Sequence, residues 1–257
     1  MNLSDLLRTF APAAKHQSIA IPPSWHQGRT CYGGLSTALA YQAALLSEEG
    51  LPPLQSAQVA FAGPLAGNVE IAAKTLRRGR NTAFIRAEIS SGDDVCLSGT
   101  FIFMNRRASH LDYEGLERPD FPPPPAAADI RSGPAEFFTG HLQYPNKRLE
   151  LGMATNRLAN WHRITERDGL DAMAQLICIG DALPPSAMGL MTEKGMVSSM
   201  NWQINMLTDA PATEGGWWYL TSETHHAAHG ASSQYMSVWN SQGKAVMTGM
   251  QSVAIFC

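Results

Sequence analysis

Residues 82–104 and 233–255 carry one pattern twice. TAFIRAEISSGDDVCLSGTFIFM and SQYMSVWNSQGKAVMTGMQSVAI align without a gap at a constant offset (233 − 82 = 151), with Gly92 and Gly243 in register. Each copy is two runs of alternating apolar residues around a polar, glycine-containing turn, a pattern that predicts a β-hairpin. A weaker echo lies upstream, where SAQVAFAGPL at 56–65 resembles SMNWQINMLT at 199–208. A chain that repeats a β-rich unit is constrained to fold as two similar halves packed together. One half can then keep chemistry while the other serves as structure.

The 257 residues suffice for one large domain or two fused units, and 44% hydrophobic with 16% charged residues supports a sizeable core. A net charge of −3 argues against a nucleic-acid partner, which calls for a basic excess. Cys31, Cys96, Cys178 and Cys257 show neither CxxC spacing nor a dense framework, so reduced thiols and a cytoplasmic setting are expected. MNLSDLLRTFAPAAKH has no basic leader or export-length apolar stretch, and no run approaches a membrane span, so no membrane partner is expected.

Ser4 is a candidate N-cap for a short helix carrying Leu3, Leu6, Leu7 and Phe10, and IAIPP at 19–23 reads as an edge strand stopped by proline. A helix is predicted from Gly33 to about Glu49, closed by Gly50, Pro52 and Pro53. Strands follow at 55–62, 68–76, 82–90 and 95–104. FPPPPAAAD marks 106–135 as an extended linker between an N-terminal unit, 1–105, and a C-terminal unit, 136–257. The second unit repeats the order: an extended stretch at 149–164, a helix starting near Asp168, and strands near 197–206, 217–224, 233–240 and 245–256.

Leu170, Met173, Ala174 and Ile177 mark the buried stripe of that second helix, and Asp181 continues it at i+4. Pro184 and Pro185 lack the N–H groups that the carbonyls of Gly180 and Asp181 would need, so the helix should kink or end beside the carboxylate. Burial raises a carboxylate pKa and suits it to general-base work; alternatively, Asp181 caps the turn at 183–186. Gln251 shares the apolar face of Met247, Val253 and Ile255 in the final strand, and a buried amide needs partners. Its counterpart in the first copy is Thr100 (100 + 151 = 251), and the first helix has no acid equivalent to Asp181, which points to the second half as the chemical one. Strict alternation puts Ser199 on one face with Asn201, Gln203 and Asn205, either a solvated surface or a polar cleft.

The fragments GRTCYGGLSTALAYQAA (28–44), LICIGDALPPSA (176–187), VSSMNWQI (197–204) and VMTGMQSV (246–253) together resemble the double-hotdog acyl-CoA thioesterases of the thioesterase II type. The resemblance covers nearly the whole chain and implies an α+β double hotdog, two tandem units each wrapping a long antiparallel sheet around a helix. It implies hydrolysis of an acyl-CoA by water activated at Asp181, with Ser199 and Gln251 holding the water and no cofactor or metal. Tyr32, Gly33 and Gly34 would bind substrate, the glycine amides opening the first helix being candidate oxyanion donors. The chain departs from the family's best-known members at Met200-Asn201-Trp202, where they carry an aliphatic residue and then Asp-His, and at Ser252, where they carry Glu. Exposed sheet edges predict at least a homodimer.

Other signals weigh less. His225, His226 and His229 suggest an exposed hairpin connection rather than a ligand set, and Arg77, Arg78 and Arg80 a solvated basic turn rather than a CoA phosphate contact. There is no G-x-S-x-G elbow and no phosphate-binding glycine pattern. A non-catalytic acyl-CoA-binding protein is the alternative reading. A hotdog hydratase or dehydratase is disfavoured because no histidine lies in the second helix or beside Asp181.

Overall fold

Alternating apolar residues make the strands, and the strands join into one surface. The computed structural model describes residues 1–14, 16–146 and 153–256; Cys257 and the start of the extended stretch at 149–164 lie outside them. The first half runs α1 (Leu3–Arg8), β1 (His16–Ile21), β2 (His26–Gln27), β3 (Thr30–Cys31), α2 (Gly33–Leu46), β4 (Leu54–Phe61), β5 (Gly67–Arg78), β6 (Thr82–Ser91) and β7 (Asp94–Met104). The second runs β8 (Ile130–Arg131), β9 (Leu142–Pro145), β10 (Arg157–Ile164), α3 (Ala172–Gly180), β11 (Met196–Met206), β12 (Trp218–Ala228), β13 (Ala231–Trp239) and β14 (Ala245–Phe256). Twelve of these strands form one sheet in the order β1-β5-β6-β7-β4-β11-β14-β13-β12-β10-β9-β8. The halves meet where β4 pairs antiparallel with β11, Gln58 opposite Gln203. Ala83, Ile85, Ala87 and Ile89 of β6 are buried in one core with Leu35, Ala38 and Leu39 of α2 and Leu176 and Ile177 of α3.

The α2–α3 contact is unusually close, and two glycines permit it. A Cβ on Gly34 would collide with the main-chain carbonyl of Cys178 and stand 2.6 Å from the Tyr32 ring; one on Gly33 would stand 2.6 Å from Asp181 Oδ2. Cys178 lies in the last turn of α3, where carbonyls lack intrahelical donors. Its oxygen accepts a hydrogen bond from the Tyr32 hydroxyl (2.7 Å). The helix itself stops at Gly180 with Asp181 as C-cap, as the prolines require.

Several local expectations change. Asn2, not Ser4, caps α1, because its side chain and that of Asp5 form a reciprocal capping box. α3 begins after Asp171, whose carboxylate accepts from the Ala174 amide. His225 and His226 lie within β12 rather than in a loop, since the β12–β13 turn is confined to His229–Gly230; their side chains remain exposed.

The two hairpins also differ. Ser91 faces Asp94 across Gly92–Asp93 in the first, whereas Trp239 faces Ala245 across Asn240–Lys244 in the second. The gap-free alignment therefore slips in the return strand, and an odd slip reverses the face. Gln251 points into the core, while Thr100 lies opposite the exposed Gln58, on the outer surface between the buried Gly99 and Phe101. Thr100 is not the counterpart of Gln251.

A bulge at Met200 has a similar effect. Ser199 pairs with the inward-facing Val253, but Asn201 already pairs with Ser252. The extra residue separates Ser199 from Asn201, Gln203 and Asn205, which face outward, and leaves Ser199 on the inner face.

Because backbone cannot yield as a side chain can, Gly34→Ala should lower stability by about 2 kcal/mol, within the range for overpacking. Gly63→Ala, whose nearest neighbour to a Cβ is 3.8 Å away, should change little. Denaturant midpoints of the two variants, compared with the parent, check this.

Candidate functional site

The end of α3, the start of α2 and the inner faces of β11 and β14 enclose a cavity of about 460 Å³. Asp181, Gly33, Ser199 and Gln251 all line it, together with Phe61, Leu65, Leu97, Leu183 and Val197 on its apolar walls. A larger hollow of about 730 Å³ on the outer face, under residues 116–120 and beside Arg157, Tyr235 and Met250, includes none of these groups.

Asp181 is the electrostatic centre. The residue is partly open to the cavity, but its carboxylate is closed in by protein on the other sides. Burial pushes its pKa up from 3.8 to about 7, against the opposing pull of hydrogen bonds from Gln251 and the Gly34 amide. Gln251 Nε2 donates to Asp181 Oδ1 (2.7 Å). Ser199 Oγ approaches Gln251 Oε1 at 3.5 Å. The three polar residues singled out from sequence therefore form one connected group.

The substrate-binding trio divides differently. Gly33 lines the cavity. Gly34 has its amide near enough to the Asp181 carboxylate to favour the ionised form. Tyr32 is a correction: it is fully buried, stacks on Phe138 at 4.2 Å between ring centroids, and directs its hydroxyl to Cys178. Its contribution is to brace the end of α3.

Gln234 was not singled out from sequence. It is almost fully buried and its Nε2 donates to Gln251 Oε1 (2.9 Å), while its own Oε1 accepts from the Ser186 amide (2.9 Å) and hydroxyl (3.3 Å). The signal was available, since Gln234 shares its strand face with Met236 and Val238, as Gln251 does with Met247 and Val253. Among the described residues no group of histidine, cysteine and carboxylate side chains could hold a metal, and no helix is long and apolar enough to cross a membrane.

Comparison with known proteins agrees with this architecture. Residues 21–104 match the acyl-CoA thioesterase N-terminal domain and residues 114–255 the acyl-CoA thioesterase C-terminal domain. No curated protein sequence matches the chain. Among solved structures, a conserved hot dog fold protein of unknown function from Alicyclobacillus acidocaldarius superposes with a TM-score of 0.84 at 19% identity, covering 99% of this chain and 98% of that one. The tesB protein of Mycobacterium avium subs paratuberculosis gives 0.75 at 16% identity, covering 99% of each chain. The acyl-CoA thioesterase II TesB2 of Mycobacterium marinum gives 0.73 at 14% identity, covering 99% and 97%. At these identities the structural likeness speaks for the fold, a double hotdog, while the two domain matches span most of the sequence. The chain belongs to the acyl-CoA thioesterase family.

Proposed function

We propose that this thioesterase splits acyl-CoA by direct attack of water, with Asp181 as the general base and no acyl-enzyme intermediate. The observation that supports this most is the carboxylate itself: it lines the cavity, and its pKa of about 7 lets it accept a proton near neutrality. Gln251 gives one Nε2 hydrogen to Asp181, which leaves the second for the water. The water gives one proton to Asp181 as its oxygen bonds to the carbonyl carbon. The C–S bond then breaks, and the departing sulfur takes that proton to leave as CoA thiol beside the free acid.

The positive end of α2 faces the carbonyl that such a water would attack. Gly33, which lines the cavity, is the nearer candidate for oxyanion contact. The division into units 1–105 and 136–257 joined by 106–135 belongs to this reading, with the acid in the second unit. Hydration chemistry finds less support, because no histidine occurs among the described residues lining the cavity.

Thiol release from a series of acyl-CoA esters tests the proposal. Asp181→Asn should abolish turnover, and Gln251→Ala should lower kcat roughly ten- to a thousandfold. A folded Asp181→Asn protein with parental turnover would end the proposal; CoA binding by the parent without thiol release would favour a binding protein instead.

The pH dependence has a defined sign. Only the ionised base is active, so kcat/KM should rise about tenfold per pH unit below about 7 and level off above it. The fold favours the neutral carboxyl, so the stability it lends is complete below 3.8 and lost as pH climbs through about 7. A fall in the parent's Tm between about pH 4 and 7 that is absent in Asp181→Asn is the expected result.

A further inference from the structure

We propose that Gln234 is a positioning residue that determines which end of the Gln251 amide faces Asp181. The proposal rests on Asp181 acting as the base. The two ends of a glutamine amide have nearly the same shape, so only hydrogen-bond partners decide its orientation. Turned the wrong way, Gln251 would present its oxygen to a carboxylate and offer no hydrogen to the attacking water.

A main-chain N–H can only donate, and that of Ser186 donates to Gln234 Oε1 at 2.9 Å. The Gln234 NH2 group must therefore face Gln251, whose oxygen accepts it at 2.9 Å. That leaves the Gln251 NH2 group towards Asp181, at 2.7 Å. Starting from the other end produces the same order, because an ionised carboxylate can only accept. Reversing either amide would press like against like where Gln234 and Gln251 are 1% and 2% exposed, and a mismatched buried pair is costly.

Both fixed ends come from a single short turn, Asp181–Ser186, whose Ala-Leu-Pro-Pro interior separates the acceptor from the donor. Register closes the circuit, since Gln234 lies directly opposite Gln251 in the β13–β14 ladder, and Thr224 opposite Gln234 in β12–β13. Ser186 is held in turn: its hydroxyl bonds Thr224 Oγ1 (2.7 Å) and accepts from Ser222 Oγ (3.0 Å). A glutamine buried only for packing could satisfy its amide on any nearby backbone, whereas each bond here leads towards the carboxylate.

The test is a double-mutant cycle with thiol release as the readout. Gln234→Leu, or Gln234→Met should the leucine variant not fold, should lower kcat about tenfold with KM little changed. In a Gln251→Ala background the same change should have almost no further effect, because the group it orients is gone. An equal loss of kcat in both backgrounds, or parental kcat in a folded Gln234 variant, would overturn the proposal. Parental kcat in Gln251→Ala alone would instead remove Gln251 from the reaction, which is a failure of the proposed function and is read separately.

Discussion

The meeting of two helix ends governs this molecule. α2 begins where α3 stops, and the pair Gly33-Gly34 lets the start of one come against the last carbonyls and terminal acid of the other. The positive end of α2 then lies beside the negative end of α3 and the Asp181 carboxylate, an arrangement that lowers the electrostatic cost of burying the acid. Burial still prevails, which leaves the carboxylate basic enough to take a proton near neutrality while remaining able to ionise. Side chains at 33 and 34 would separate the helices.

The sheet completes what the helices begin. It runs unbroken across both halves, so the inner faces of β11, β13 and β14 lie beneath the end of α3. Polar residues of β12, β13 and β14 sit in directly opposed positions, Thr224, Gln234 and Gln251 side by side, with Trp202 of β11 next in the row. In the first half the inner face is filled by Ala83, Gly99, Phe101 and similar residues. The halves thus share a plan but not a chemistry. The cavity nevertheless draws on both, taking Gly33 and Phe61 from one and Asp181, Ser199 and Gln251 from the other.

Much of this was legible in the chain. Period-two alternation located the long strands to within a few residues at most ends, because a half-buried strand must alternate. Pro184 and Pro185 marked the end of α3, because neither can supply a helical donor. Asp181 and Gln251 stood out as polar groups on apolar faces, and they do meet. Gln234 carries the same mark, set among Ser232, Ser233 and Ser237. Tyr32 was expected to bind substrate beside Gly33 and Gly34, yet its ring is buried and its hydroxyl serves a helix carbonyl.

The sequence by itself determined the repeat, the strands, the helix ends and the presence of a lone acid on an apolar stripe, all of which follow from local periodicity and from what proline and glycine do to a backbone. Tertiary structure alone decided which groups touch. One extra residue at Met200 turned Ser199 inward, a longer second turn separated Thr100 from the role of Gln251, and two glycines let the start of α2 close on the carboxylate. Side-chain direction in a strand reverses with every residue, so a slip of one, invisible in a pattern of residue types, determines whether a polar group meets solvent or the site.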